Sequence, residues 1–390
     1  GVGDFTFARA SEATRVNEDG LIETMGNNIP RLDYTDGGCP NFLLEPQRTN
    51  LLPYSNDFSN SAWSKFASGT GSTPIVTSNY AISPDGTLNA SRLQLDKGTG
   101  TGAGNMSILF DSLNVTSGLT TNKNIYLKSN TSEEYDLVLY GFSDASGTNL
   151  KKIRVTSEWQ RFDVFKTISA TTTGLSVGLR EINVTGLSNT ADVLIYGAQV
   201  EQGSYPTSYI PTNGSTVTRV AETCNGSGDA ATFNDSEGVF MAEISALDND
   251  GTSRRISISD GSDNNRVEIE NDETSGRYRF FISGGGLTVA LSEVGNAIEV
   301  NFNKVAIYYN GLNSKVYFNG FVTGATITNT PNITALSQIQ FEGANLTRDF
   351  YGKTKQIQYY NSALTDSELE TLTSWASFLE MANGQNYTII

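Results

Sequence analysis

From about Asn50 onward, apolar and polar residues alternate in short runs separated by clusters of Gly, Asn, Ser and Thr. "ASRLQL" (90–95), "NIYLKS" (124–129), "YDLVLYGF" (135–142), "WQRFDVFKTI" (159–168), "LSVGLREI" (175–182) and "DVLIYGAQVE" (192–201) are rich in β-branched and aromatic side chains at a period of two. Successive side chains of an extended chain point to opposite faces, so this period puts one face of each run on a core. The runs predict half-buried antiparallel strands, and their spacing suits a sandwich. No helical period of useful length interrupts them.

The alternation lapses over "YPTSYIPTNGSTVTRVAETCNGSGDAATFNDSEG" (205–238), where Pro, Gly, Ser, Thr and Asn gather. Such a stretch reads as the exit from one domain and the start of another. Strands then resume with "GVFMAEISAL", "RRISISD", "NRVEIEND", "RYRFFISGG", "LTVALSEV", "FNKVAIYYNG", "SKVYFNGFVTG", "SQIQFEG" and "FYGKTKQIQYY", a long antiparallel meander. Asn310-Gly311 and Asn319-Gly320 mark turns in it, since Asn-Gly readily supplies positive φ. After the last strand, "LTDSELETL" (364–372) predicts a short helix with Thr365 as N-cap and Glu368 three positions on, a capping box. Leu364 and Leu369 form a hydrophobic staple, and Leu372 continues the apolar stripe.

The first fifty residues fit neither half. "FARASEATRVNEDGLIETMGNNIPRLDY" (7–34) holds isolated strand-like pieces that cannot bury a core alone, so this segment is expected to pack along a neighbouring domain or a partner subunit. "ATRV" (13–16) recurs as "VTRV" (217–220), too short an echo to establish a repeat. The expected organisation is a packing segment over 1–49, a first domain over 50–212, a linker over 213–238 and a second domain over 239–390.

Composition narrows the chemistry. A chain of 390 residues suits two domains. Charged residues make up 17% and aromatics 10%, with Ser, Thr, Asn and Gly abundant, as in extracellular and virion all-β proteins. The formal net charge of −16 argues against nucleic acid, anionic membrane surfaces and anionic polysaccharides, all of which select a basic footprint. No apolar run is long enough for a membrane span, and no secretory signal opens the sequence. A first residue that is Gly rather than Met suggests processing or trimming. The chain has no histidine, which excludes His-dependent triads and histidine general bases and removes the commonest zinc ligand. Only carboxylate, Tyr, Lys or Arg chemistry remains.

Several of these segments together resemble a module of phage tail and virion proteins: "FARASEATRVNEDGLIE", "PRLDY", "FLLEPQRTNLLPYSNDFSNSAWSK", "SEWQRFDV", "YGAQVEQGSYPTSYIPT" and "TRVAE". Residues 50–212 are similar to carbohydrate-binding-module-like jelly rolls. From about 225 to the end, "GVFMAEISAL", "NKVAIYYNGLNSKVYFNG" and "FYGKTKQIQYYNSALTDSELETL" resemble a concanavalin A-like (laminin-G-like) lectin/glucanase sandwich. The resemblance implies an all-β chain of two antiparallel sandwiches with a short C-terminal helix. It further implies a non-enzymatic structural or adhesive protein on a virion surface: a tail fibre, receptor-binding or head-decoration component. Its expected partners are sister subunits in a homo-oligomer such as a trimer, other virion proteins through the N-terminal segment, and host-surface glycans. A glycan depolymerase and a pure structural spacer are the alternatives.

Candidate residues follow from the two readings together. Related glucanase-type enzymes carry catalytic carboxylates at alternate positions of one strand, and "RVEIENDE" (266–273) offers Glu268 and Glu270 at that spacing. The flanking Asp and third Glu of the pattern are out of register, so a solvated charged hairpin is expected here. Lyases on this fold use a strand with Gln and His, which a chain without His cannot match. Asp248 and Asp250 before Gly251 invite a calcium loop, but the later ligands are missing and a hairpin turn accounts for them better. The acidic residue of a jelly-roll structural calcium corresponds to Ala198 or Gln199, so no cofactor is expected. Trp63 and Trp159 are expected in the core, leaving Tyr80 and Tyr205 as sugar contacts if exposed. Cys39 and Cys224 flank the first domain and are either bridged or two free thiols. The sequons at Asn114 and Asn183 carry no weight in so Asn- and Thr-rich a chain.

Overall fold

The computed structural model describes residues 4–141, 150–274, 276–295, 299–375 and 381. Phe142, the last residue of one expected strand, lies outside them. The described residues are strands and loops with one short helix, and the chain forms two compact units. One comprises residues 1–10, 27–46 and 221–390, the other 11–26 and 47–220.

The discontinuous unit is a sandwich of two seven-stranded sheets. One runs in the order Thr6–Ala8, Thr223–Ser227, Gln338–Gln340, Arg254–Ser259, Arg266–Asn271, Tyr278–Gly284, Leu287–Val294. The other runs Phe321–Thr328, Asn313–Phe318, Asn303–Tyr309, Gly238–Ala246, Gly352–Tyr360, Asn41–Leu44, Arg31–Asp33. Alternation explains the core: Ile256, Ile258, Val267, Ile269, Phe280 and Ile282 from the first sheet are buried with Phe240, Ala242, Ile244, Val305 and Ile307 from the second. At Asn319-Gly320 both residues take positive φ (48° and 89°), the paired left-handed conformation of a tight hairpin turn.

The helix Asp366–Thr373 packs on the outer face of the second sheet. Leu369 is fully buried with Val239, Met241, Ala306 and Tyr317, and Leu364 and Leu372 pack against the same cluster. The capping box forms as expected: the Glu368 carboxylate accepts from the Thr365 N–H at 2.8 Å, and Thr365 Oγ1 accepts from the Glu368 N–H at 3.3 Å.

The N-terminal segment is not a separate body. Its residues 4–10 and 27–46 add strands to the discontinuous sandwich, and residues 11–26 form the hairpin Ala13–Val16 with Ile22–Met25 in the other unit. The linker likewise divides, with Val217–Arg219 pairing to Arg48–Asn50 in one unit and Thr223–Ser227 pairing to Thr6–Ala8 in the other. Segments too short to bury a core alone gain one by completing sheets whose other strands lie far along the sequence.

Within the discontinuous unit these segments meet at a buried ionic cluster. Arg9 Nη1 donates to Glu222 Oε1 at 2.7 Å, and Arg31 Nε donates to the same oxygen at 2.8 Å. The Glu45 N–H donates to Glu222 Oε2 at 2.8 Å, and Arg31 Nη1 pairs with Glu45 Oε2 at 2.9 Å. The side chains of Arg9, Arg31 and Glu222 are fully buried.

The other unit, called the contiguous unit because residues 47–220 supply both of its large sheets, is a sandwich of two five-stranded sheets. One, here the strap sheet, runs Gln160–Thr167, Thr120–Ser129, Thr190–Gln202, Leu88–Asp96, Ser72–Ile82. The other, the aromatic sheet, runs Lys151–Val155, Tyr135–Gly141, Leu175–Arg180, Met106–Phe110, Ser64–Ser68. Leu93, Ile125, Leu127, Val193, Ile195, Leu109, Leu137, Leu139 and Val177 fill the space between them. Residues 205–212 strap the outer face of the first sheet: the Ile210 N–H donates to Gln199 Oε1 at 2.7 Å, and Thr207 Oγ1 donates to Glu201 Oε2 at 2.6 Å.

Candidate functional site

Glu268 and Glu270 do share one face of Arg266–Asn271, but that face is not solvated. Both side chains are no more than 1% exposed. The strand lies inside its sheet, between Arg254–Ser259 and Tyr278–Gly284, so arginines on the neighbouring strands reach the carboxylates. Arg255 bridges the pair, with Nη1 2.9 Å from Glu268 Oε1 and Nη2 2.9 Å from Glu270 Oε1. Glu270 Oε1 also accepts from Ser253 Oγ at 2.6 Å and Arg348 Nη1 at 3.0 Å. The Ala344 N–H, from the loop after Gln338–Gln340, reaches Glu268 Oε2 at 3.4 Å. Burial raises the Glu268 carboxyl above its ordinary range against the opposing pull of Arg255 and Arg266. A glycosidase acid and its partner must reach the scissile oxygen and anomeric carbon. These two carboxylates reach arginines instead, in an ionic network beneath the 342–349 loop.

Asp250 accepts from Arg254 Nη2 at 2.8 Å, which occupies the carboxylate that a calcium loop would offer. Gln199 is fully buried and holds the 205–212 strap, accepting from Ile210 and donating to Glu201 at 2.7 Å. Trp63 is a core residue, 1% exposed, its ring 5.0 Å from that of Phe58 and its indole N–H donating to the Tyr54 carbonyl at 2.8 Å. Trp159 is half-buried against Ile22, Tyr196 and Tyr209. Tyr205 is buried, whereas Tyr80 is exposed with the Arg92 guanidinium 5.1 Å from its ring centre. Cys39 is exposed and Cys224 buried, both as free thiols, and burial pushes the Cys224 thiol up to about 12. Asn114 and Asn183 are both exposed.

A different group, which sequence reading did not single out, combines aromatic rings with unpaired polar atoms. It lies on the outer face of the aromatic sheet in the contiguous unit. Leu137, Leu139, Val177 and Leu109 point to the core, so the alternate residues point outward. Two rows of outward residues cross the strands in register: Tyr140, Ser176, Phe110, Ser64, and beside it Val138, Gly178, Ile108, Phe66. Phe66 is 47% exposed and Phe110 half-buried. Tyr140 Oη, Ser176 Oγ and Arg180 Nε are buried without hydrogen-bond partners. The absence of a side chain at Gly178 leaves the middle of the second row low. Part of the face is roofed by residues 181–189, where Leu187 and Val184 join Val138 and Tyr140 in one apolar cluster and Lys152 Nζ donates to the Gly186 carbonyl at 2.8 Å. Phe66 and Phe110 give this face an aromatic surface that the C–H face of a ligand can meet, with the polar atoms of Tyr140 and Ser176 buried beneath it.

Asp111 follows directly on Phe110. It is 2% exposed, one carboxylate oxygen has no partner, and burial raises its pKa to about 6. A folded-state pKa above the ordinary carboxylate value means that protonation favours the fold, so this contribution is complete below about pH 4 and is lost as pH rises through about 6. Asp111→Asn is therefore expected to flatten the pH dependence of stability between pH 4 and 7, as followed by urea denaturation at each pH.

Two antiparallel β-sandwiches, one of which carries an aromatic and polar outer face, define the class: an all-β protein of the jelly-roll and concanavalin A-like kind. Within it, residues 240–370 match the family model of the Concanavalin A-like lectin/glucanases superfamily. Comparison with curated proteins gives no match. Among solved structures, the chain is similar to the CBM40 of the Ruminococcus gnavus IT-sialidase, with 17% identity and a TM-score of 0.32 over 38% of this chain and 94% of that one. It is also similar to domain 4 of AbnA, a GH43 extracellular arabinanase from Geobacillus stearothermophilus, in complex with arabinotriose: 15% identity, TM-score 0.33, 44% and 84% covered. Domains LG4-5 of the mouse laminin alpha1 chain give 11% identity and a TM-score of 0.27, with 66% and 87% covered.

Proposed function

We propose that this chain is a non-enzymatic glycan-binding protein, an adhesive component of a phage tail or virion surface, and that its ligand lies on the outer face of the aromatic sheet. The observation that carries the binding reading is the aromatic surface of the exposed Phe66 and half-buried Phe110 on an outer sheet face. A pyranose presents an apolar C–H face that matches an exposed aromatic ring. Sequestration of Glu268 and Glu270 by arginines supports the non-enzymatic reading. The virion setting is supported by the sequence resemblance of the N-terminal and jelly-roll segments, and homo-oligomerisation would let shallow sites hold through multivalency.

The test is a glycan array probed with the full chain, followed by titration of the best ligand. Phe66→Ala is expected to weaken binding by about tenfold, equivalent to about 1.4 kcal/mol. Phe66→Ala should leave the melting temperature unchanged, because its ring is half in solvent. No signal from the assembled protein on any glycan would favour the spacer reading instead. In a parallel assay on host surface polysaccharides, no new reducing ends are expected. Turnover that disappears in Glu268→Gln or Glu270→Gln would overturn the non-enzymatic reading.

A further inference from the structure

The contiguous unit contains a second concave site, separate from the aromatic sheet. A cavity of about 430 Å³ is lined by Gln47, Arg48, Thr49, Leu51, Leu119, Gln202 and Gly203. These residues come from the strand Arg48–Asn50 and its flanks, the end of Thr190–Gln202, and the turn before Thr120–Ser129. Two leucines give an apolar wall, and the exposed side chains of Gln47 and Gln202 give amide donors and acceptors.

Arg48 is the one charged residue in this lining. Its guanidinium lies 5.4 Å from the ring centre of Tyr205, and a Cβ at Gly203 would come within 3.1 Å of its Nη2. The absence of a side chain at 203 thus lets the guanidinium settle against the backbone. Among the described residues its side chain donates one hydrogen bond, from Nη1 to the Gln47 carbonyl at 3.0 Å, and Nε makes none. Nε forms a long ion pair with the buried Glu201 carboxylate, 4.0 Å away and beyond hydrogen-bond reach, which leaves the Nη groups to face the cavity. Glu201 is itself occupied by the Thr207 N–H at 2.9 Å, Thr207 Oγ1 at 2.6 Å and Gln199 Nε2 at 2.7 Å. A positioned guanidinium with unused donors favours a carboxylate, because two parallel N–H groups match its two oxygens.

We infer that this cavity binds a carboxylate-bearing monosaccharide, a uronic acid or similar acidic sugar, with the carboxylate on Arg48, hydroxyls on Gln47 and Gln202, and the ring's C–H face on Leu51 and Leu119. The inference does not depend on the aromatic-sheet reading, and Phe66→Ala should leave it intact. It also narrows what the net charge of −16 implies, since one local cation governs a monosaccharide site whereas overall charge governs long polyanions.

The experiment is calorimetric titration of the full chain with sodium glucuronate, methyl glucoside and acetate. Glucuronate is expected to bind at least tenfold more tightly than either control. Arg48→Gln should reduce its affinity at least tenfold, and Leu119→Trp, which fills the cavity and leaves Arg48 in place, should abolish binding even if Arg48→Gln fails to fold. Absence of glucuronate binding, equal affinity for methyl glucoside or acetate, or affinity unchanged by Leu119→Trp would each overturn the proposal.

Discussion

Glu222→Ala is expected to destabilise the discontinuous sandwich by about 3–5 kcal/mol, the cost of leaving a buried charge unpaired. The carboxylate serves Arg9, Arg31 and the Glu45 N–H at once, and its removal takes a shared anion from two fully buried guanidinium groups. Arg9 keeps a contact to the Ile29 carbonyl at 3.1 Å, but a carbonyl dipole does not replace a full negative charge. Glu222→Gln preserves shape and loses charge, so its effect should fall between alanine and wild type. Denaturant unfolding, with one transition followed for each unit, measures both. The exposed pair of Lys315 with Asp366 is the contrast: its 2.7 Å contact is solvated, and Asp366→Ala should change stability little. If Glu222→Ala proved equally silent, the cluster would not be holding the N-terminal strands in place.

Trp63→Ala is expected to cost the contiguous unit about 3–5 kcal/mol, the usual range for deleting a buried aromatic. The ring is 1% exposed and tilted against Phe58, and its N–H satisfies the Tyr54 carbonyl. The substitution therefore removes packing and orphans an acceptor together. Trp63→Phe keeps most of the ring volume but not the donor, so the difference between the two variants separates packing from hydrogen bonding. Three residues away, Phe66→Ala should do the opposite, leaving stability intact while weakening glycan binding. That pairing distinguishes a core aromatic from a ligand platform on neighbouring turns of sequence.

The strands were legible because period-two alternation directly reports the two faces of an extended chain. The helix was legible because Thr365 and Glu368 satisfy each other across three residues, and Trp63 because a large apolar ring at a strand edge gains most from burial. What alternation does not carry is the partner. Arg255 and Arg279 stand in plain view in "RRISIS" and "RYRFF", yet nothing local says that their strands flank Glu268 and Glu270, so a solvated hairpin was the natural expectation. The aromatic face was hidden for a similar reason: Tyr140, Ser176, Phe110 and Phe66 come from four separate runs and meet only once the register is set. The Arg48 cavity gave no local signal, since its lining comes from three separate stretches around residues 47–51, 119 and 202–203.

The placement of residues 27–46 within the later sandwich sets an order of assembly during synthesis. Asn41–Leu44 pairs with Arg31–Asp33 on one side and with Gly352–Tyr360 on the other. The contiguous unit has all its strands once residue 220 has emerged, and can close while the rest is still being made. The early strand Asn41–Leu44 of its neighbour must wait for about three hundred further residues to pair with Gly352–Tyr360, and the buried Arg9 meets its Glu222 partner only after residue 220 has emerged. Closure of so long a loop makes the discontinuous sandwich the slow step of folding, and a ribosome stalled before residue 352 would hold a finished jelly roll flanked by an unpaired β-edge.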